Sequence, residues 1–207
     1  MADLYLASRS SRRRELLRQI GVRFEPLLLR LQPPREADVD ETPHAGESAA
    51  DYVARTATNK ARFGQSTLAL RRLPARPVLA ADTVVVVDGE ILGTPAGREE
   101  AQASLRRLSG RPHQVRTYVA LACGSPTRPE LLTTESVSTV HFAALTEAQI
   151  ARYCAGGEPY DKAGGYAIQG LAAVFIERLE GSYSGVMGLP LFETAQLLRR
   201  AGIADLP

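Results

Sequence analysis

The sequence predicts an α/β fold built on a mixed sheet, and three observations predict it. Residues 78–87 form an almost unbroken apolar, β-branched run, as expected of a strand buried on both faces. Strand-like stretches alternate along the chain with amphipathic stretches that open on helix caps. Residues 115–122 and 131–142 look like an antiparallel pair joined across a Gly/Pro turn, which adds a long strand pair to that alternation.

In order, residues 4–7 read as a short strand. Ser10 or Ser11 caps the following helix, whose apolar face is Leu16, Leu17 and Ile20 and which ends at Gly21. Residues 24–29 read as a second strand, and residues 31–46, aperiodic and rich in proline and acids, as a loop. Ser48 with Asp51 has the form of a capping box and opens a helix to about Gly64. Residues 71–77 make a surface connection into the 78–87 strand, and Asp88-Gly89 turns that strand into a short partner at 90–92. Residues 97–109 are helical, with Ala101, Leu105 and Leu108 on one face. Thr146 with Gln149 is a second capping box, for a helix to about Ala155. Residues 174–179 form a further strand and 190–201 a final amphipathic helix.

Composition narrows the function classes. At 207 residues, 44% of them hydrophobic and 23% charged, the chain suits one large packed domain or two small ones, and disordered and fibrous classes are excluded. No apolar run approaches the roughly 20 residues that cross a bilayer. The stretch at 4–7 is too short for a secretion signal, and its arginines follow it instead of preceding it. Cys123 and Cys154 have no metal-ligand spacing and fit a reducing cytoplasm, as buried small hydrophobes. A net charge of +2, dispersed basic residues and 6% aromatics argue against nucleic-acid and membrane partners. Of the 25 Lys and Arg residues only Lys60 and Lys162 are lysine. In so arginine-biased a chain, a surviving lysine marks a site that needs a compact ammonium in place of a planar fork.

There is no phosphate-loop signature, no dinucleotide glycine fingerprint and no nucleophile elbow. His44, His113 and His141 are scattered and read as packed or surface residues. Four segments place polar groups where a strand meets a loop or helix. Residues 7–13 put Ser8, Ser10, Arg12 and Arg13 at a helix N-terminus, where free N–H groups and the dipole favour an anion. Asp82 lies inside the buried strand, where a carboxylate is costly without a partner, so it reads as a metal ligand or general base. Residues 157–170 combine glycines, Asp161 and Lys162. The helix from residue 50 to 64 carries Arg55 and Lys60 on a face that otherwise reads as solvated.

Leu6-Ala7-Ser8-x-Ser10-x-Arg12-Arg13-x-Glu15-Leu16-Leu17 resembles the opening motif of the Maf family of nucleoside triphosphate pyrophosphatases. Asp38-Val39-Asp40-Glu41, Asn59-Lys60-Ala61, Ala81-Asp82-Thr83-Val84-Val85, Leu108-Ser109-Gly110, Asp161-Lys162-Ala163-Gly164 and Gly188-Leu189-Pro190-Leu191 follow in the family's order. Each motif is weak alone; the ordered set is specific and runs from Tyr5 to about Gly202. The resemblance implies one Maf-like domain over residues 1–207, with a two-lobed architecture like that of inosine triphosphatases and a central nucleotide cleft, often as a homodimer. It implies hydrolysis of a nucleoside triphosphate, dTTP or UTP and modified pyrimidine nucleotides, to monophosphate and pyrophosphate, with a divalent metal (Mg or Mn).

By the same resemblance Asp82 matches the catalytic acid and Glu41 a metal-holding acid, with Asp161 as a further candidate metal ligand. Ser8, Arg12, Arg13, Lys60 and Lys162 match phosphate-handling positions, and Arg12, Thr83 and Gln169 match positions that select the base. A glutamine amide has one donor and one acceptor side, which suits the imide edge of uracil or thymine. Three positions depart from the family pattern. Ser11 replaces a proline, Gly165 and Ala167 exchange small residues, and Thr94 replaces a lysine that reaches the phosphates. The missing contact is worth roughly 1.5–3 kcal/mol, so either activity is lower or Arg98, a turn away, takes the role. Thr94 is also the feature favouring the rival reading, a nucleotide-binding cell-division regulator with little turnover.

Overall fold

A computed structural model describes residues 2–30, 38–125, 128–204 and 206. The apolar run forms β3 (Val78–Val87), whose first five residues are all buried. To one side lie β1 (Leu4–Leu6) and then β2 (Phe24–Pro26), in parallel register. Antiparallel to the far end of β3 runs β4 (Glu90–Leu92). The other side continues through β5 (Pro112–Ser125), β6 (Arg128–Phe142) and β7 (Ile176–Glu180), with β7 antiparallel to β6. The sheet is therefore mixed, as the alternation of elements predicts. The helices are α1 (Ser11–Gln19), α2 (Ala49–Leu70), α3 (Arg98–Leu108), α4 (Glu147–Tyr153), α5 (Tyr183–Met187) and α6 (Leu191–Arg200). No described helix is long and apolar enough to cross a membrane.

The chain divides into two compact units, and β3, β5 and β6 each pass from one into the other. The first comprises Met1–Asp82, Tyr118–Glu135 and Gly188–Pro207; the second, Thr83–Thr117 and Ser136–Met187. In the core of the first, small residues line the contact between α2 and the sheet. Ala57 and Ala61 of α2 meet Ala7, Val78 and Ala80 on the sheet, with Tyr5 and Leu27 beside them. Gly64 explains why α2 runs on past its expected end. A Cβ there would stand 2.8 Å from Val78 Cγ1 and 3.2 Å from Leu27 Cδ2. That glycine permits close helix–sheet approach and does not terminate the helix, so α2 continues through the buried Thr67 and Leu68.

Ahead of α2, residues 38–46 carry neither helix nor strand, and 31–37, also expected as loop, lie outside the described residues. This loop is tied to α2 by Arg55, whose side chain donates to both carboxylate oxygens of Glu47 (2.5 and 2.7 Å) and to the carbonyls of Asp40 (3.1 Å) and Thr42 (2.9 Å). The guanidinium holds the Glu47 carboxyl down at about 2, from an ordinary value of 4.5. Both expected caps form here and later: Ser48 accepts from the N–H of Asp51, and Thr146 makes a reciprocal capping box with Gln149.

The core of the second unit is aromatic. Phe142 packs edge-on against Tyr166 (4.9 Å between centroids), His113 (5.0 Å) and Phe175 (6.2 Å). His113 is a packed histidine, as expected: its Nε2 meets Tyr166 Oη at 2.7 Å, and burial pushes its pKa down to about 4. Cys123 and Cys154 are both buried free thiols.

Several boundaries differ from the sequence reading. β2 stops at Pro26, where its register with three-residue β1 ends at Leu6. β5 and β6 extend beyond 115–122 and 131–142. The strand expected from residue 174 begins at Ile176, because Leu171–Phe175 forms a 3-10 turn. The Glu158 carboxylate pins that turn by accepting the N–H groups of Leu171 (2.8 Å) and Ala172 (3.1 Å). Helix α5 has no counterpart in the sequence reading.

Two outcomes follow from this packing. Gly→Ala inside a helix usually stabilises by about 0.5–1 kcal/mol, but overpacking a stiff core costs about 1–3 kcal/mol. Gly64→Ala will therefore lower the urea midpoint, because the valine it strikes is β-branched and fixed in a buried strand. The Glu47 carboxyl titrates lower in the folded chain than in the unfolded one, so its contribution is complete above about pH 4.5 and fades as pH falls toward 2. Wild-type stability will fall over that window, and Arg55→Ala will flatten the fall while lowering stability at pH 7; urea titrations from pH 3 to 7 measure both.

Candidate functional site

β1 delivers the chain to α1, and Ser10 resolves the two candidate caps by accepting the N–H of Arg13 at 3.3 Å. Ser8 Oγ, just before the helix, accepts from the N–H of Ser10 (3.2 Å) and from Arg13 Nη1 (3.3 Å). Arg13 Nε donates to the carbonyl of Gly188 at 2.7 Å. Its guanidinium is thus held in place at the helix start. Burial lowers its pKa, the charges of Asp82 and Glu41 oppose that, and neighbouring Arg12 adds to it. Two half-buried cations beside a helix N-terminus are unfavourable by themselves and suit an anion placed between them.

The centre of the first unit is Lys60. It lies on the sheet-facing side of α2 beside Ala57 and Ala61, and its Nζ is 2.8 Å from Asp82 Oδ1 and 2.8 Å from Glu41 Oε2. The Lys60 and Asp82 side chains are each only 12% exposed, so the pair is well removed from solvent. Asp82 reaches this point because the apolar strand carries it inward; Glu41 reaches it because Arg55 anchors the carbonyls on either side. Tyr52 Oη also donates to the Glu41 carbonyl at 2.9 Å. Burial, then the charges of Asp82 and Glu41, push the Tyr52 hydroxyl up to about 12, so it remains a donor throughout the working range.

Two carboxylates converging on one positive centre form a donor set that fits a hard divalent cation, which takes oxygen ligands. Among the described residues no group of three His, Cys, Asp or Glu side chains is arranged to hold a metal. Magnesium is commonly held by one or two carboxylates, with water and substrate phosphates completing the shell.

The remaining expected residues belong to the second unit. Lys162 Nζ donates to the carbonyl of Glu158 at 2.8 Å and pairs with Asp161. Asp161 is exposed and engaged with Lys162. Gln169 is exposed at the tip of a turn closed by Gly170 N–H to the Ala167 carbonyl at 3.0 Å. Gly164 in the same segment has φ +69°, and a Cβ would lie 2.8 Å from Val85 Cγ2, so only glycine suits the position. Thr83 Oγ1 lies 2.9 Å from Thr117 Oγ1. Thr94 is exposed beyond β4, and Arg98 opens α3.

The first unit thus assembles Ser8, Arg12, Arg13, Glu41, Lys60 and Asp82, while Thr83, Asp161, Lys162 and Gln169 belong to the second. Sequence reasoning missed Tyr52, Glu47 and Glu158 as supports and set Arg55 aside on a solvated face. The spacing of Glu47 and Arg55, across a cap from loop into helix, was the one available signal.

A profile of the Maf-like protein family matches residues 3–201. The chain is 54% identical over 202 residues to the dTTP/UTP pyrophosphatase of Aromatoleum aromaticum, covering 97% of this chain and 96% of that protein. It is 56% identical over 201 residues to the dTTP/UTP pyrophosphatase of Bordetella avium, with 97% and 96% covered. For the dTTP/UTP pyrophosphatase of Nitrosomonas europaea the identity is 55% over 201 residues, with 97% and 95% covered. The solved Ham1 protein of Staphylococcus aureus aligns over 68% of this chain and 71% of its own, at 16% identity and a TM-score of 0.43. Matched by the profile over nearly all its length, and at more than half identity to these relatives, the chain belongs to the Maf family.

Proposed function

We propose that this protein is a nucleoside triphosphate pyrophosphatase that hydrolyses dTTP and UTP, and related modified pyrimidine nucleotides, to the monophosphate and pyrophosphate. One observation carries the chemistry: the Lys60 ammonium shared at 2.8 Å by Asp82 and Glu41, in the same unit as Arg12 and Arg13. The substrates follow from the names of relatives that match 97% of the chain. Residues 1–207 act as a single catalytic domain, since the family profile spans both units. A homodimer is the form that the family resemblance implies, and the buried free thiols suit a cytoplasmic enzyme.

Asp82 and Glu41 would hold a divalent cation, Mg or Mn, which neutralises the triphosphate and polarises the attacking water. Asp82 accepts the proton of that water as its oxygen bonds to the α-phosphorus. The bond from the α-phosphorus to the bridging oxygen breaks, and pyrophosphate leaves with the electron pair. Arg12, Arg13, Lys60 and Lys162 stabilise the charge that builds on it, with Ser8 fixing Arg13. Asp161 neutralises Lys162 until substrate arrives. Thr83 and Gln169 meet the base.

Thr94, exposed where the family pattern has a phosphate-reaching lysine, favours the rival reading of a nucleotide-binding regulator. Pyrophosphate release from a panel of nucleoside triphosphates, with and without Mg or Mn, separates the two: turnover confined to dTTP and UTP supports the enzyme, and binding without turnover supports the regulator. Asp82→Asn will keep the fold and abolish hydrolysis, because the amide preserves size but loses charge and basicity; normal turnover by the folded variant refutes the role. Lys60→Arg will lower kcat/KM more than tenfold, about 1.4 kcal/mol. A planar fork cannot take the place of one ammonium between two carboxylates, and unchanged kinetics would show that the shared ammonium is irrelevant to turnover.

A further inference from the structure

Lys60 carries one positive charge, and Asp82 and Glu41 carry two negative charges between them. The ammonium lies 2.8 Å from an oxygen of each, at the point where the two carboxylates converge. It thus takes the place of a cation held between them. The side chains of Lys60 and Asp82 are largely withdrawn from water, and like charges there repel with little screening. Magnesium draws its oxygen ligands in to roughly 2.1 Å, closer than an ammonium does, and leaves no space between the same two oxygens for Nζ. Each carboxylate has a second oxygen, but a dication bonded there would still stand beside the ammonium. The proposed mechanism asks the pair to hold a cation and asks Lys60 to meet the departing pyrophosphate. Both demands are met if the ammonium leaves the carboxylates when the metal arrives.

We infer that Lys60 is a built-in counter-ion that stands in for the metal between Asp82 and Glu41 and is displaced by the divalent cation, so that the protein's own ammonium sets its affinity for metal. The inference rests on the reading that these two carboxylates hold the cation. Without metal, the ammonium keeps the acids compensated, since an uncompensated buried charge is strongly destabilising. It is also a competitor. A site that must first shed its occupant shows an affinity reduced to the fraction of molecules in which it is vacant. Two carboxylates and one ammonium leave one negative charge over, whereas two carboxylates and a divalent cation leave none, so the exchange completes the balance. The lysine charge sits at the end of a flexible stem. It can swing away while Ala57 and Ala61 keep α2 seated on the sheet. A lysine that only braced the fold would, when removed, lower stability and metal affinity together; a displaced counter-ion moves them in opposite directions.

The test measures Mn2+ binding by calorimetry on the full chain without nucleotide, together with Tm, in wild type, Lys60→Met, Asp82→Asn and the double variant. Methionine keeps an unbranched stem and removes the charge. Without metal, Lys60→Met is expected to have a lower Tm than wild type. It is expected to bind Mn2+ about tenfold more tightly or better, and to gain more in Tm from saturating Mn2+. Adding Asp82→Asn is expected to remove that gain in affinity. If Lys60→Met fails to fold even with Mn2+, wild type labelled at the lysine ammonium nitrogens decides, because the chain has only Lys60 and Lys162 and Lys162→Arg assigns the signals. Mg2+ is then expected to release the Lys60 ammonium to solvent, seen as loss of its slowly exchanging signal; a signal unchanged at saturating Mg2+ overturns the inference. A folded Lys60→Met that binds Mn2+ no more tightly than wild type also overturns it, and leaves the metal reading standing where Asp82→Asn alone abolishes the wild-type binding. A gain that survives Asp82→Asn, or no Mn2+ binding by wild type and Lys60→Met alike, overturns the metal reading and the inference with it.

Discussion

The Lys60 ammonium, 2.8 Å from both Asp82 and Glu41, is the interaction on which the organisation of the first unit depends. A carboxylate inside a buried strand is tolerable only with a partner, and removing one member of such a pair typically costs about 3–5 kcal/mol. A lysine on a helix can reach that carboxylate only if helix and sheet approach closely. Alanines at 7, 57, 61 and 80, together with Gly64, provide that approach.

Glu41 arrives by a different route. It lies in a stretch with no regular structure, so its position is set by bonds to its neighbours: Arg55 holds the carbonyls of Asp40 and Thr42, and Tyr52 holds that of Glu41 itself. Arg55 is in turn secured by Glu47, whose carboxyl it keeps ionised to about pH 2. A loop fixed through its backbone can present its side chain with little further loss of entropy, as the role proposed for Glu41 requires.

In the proposed mechanism the two units carry different tasks. The first carries Asp82, Glu41, Arg12, Arg13 and Lys60, and the second carries Lys162 together with Thr83 and Gln169, the side chains proposed to meet the base. The division falls between Asp82 and Thr83, consecutive residues on β3 whose side chains point to opposite faces. Asp82 is oriented by a lysine from a helix, Thr83 by a threonine from the neighbouring strand. A shift of this strand by one residue would exchange the two faces and lose both arrangements at once.

The fold class, the buried strand at 78–87, both capping boxes and the special standing of Lys60 were legible in the sequence, because each rests on local periodicity, cap chemistry or composition. Ser8, Arg12 and Arg13 were legible as a group because strand, cap and arginines are adjacent in the chain. The ordered motifs identified the family for the same reason, since order along a chain is itself sequence information. Other features depended on segments far apart in the chain. Gly64 looked like a helix end until the sheet beneath it gave the missing Cβ a purpose. The turn at Leu171–Phe175 had the apolar pattern of a strand, and only the carboxylate of Glu158, 13 residues before its first N–H, made it a turn. Arg55 resembled a solvated arginine, Tyr52 carried no signal, and α5 was invisible because its anchor, Ser138, lies on another element. The surroundings of Thr117 lay furthest from the sequence: its hydroxyl meets Thr83 on one side and the carbonyl of Gly185, 68 residues beyond it, on the other, and only the folded sheet brings the three together.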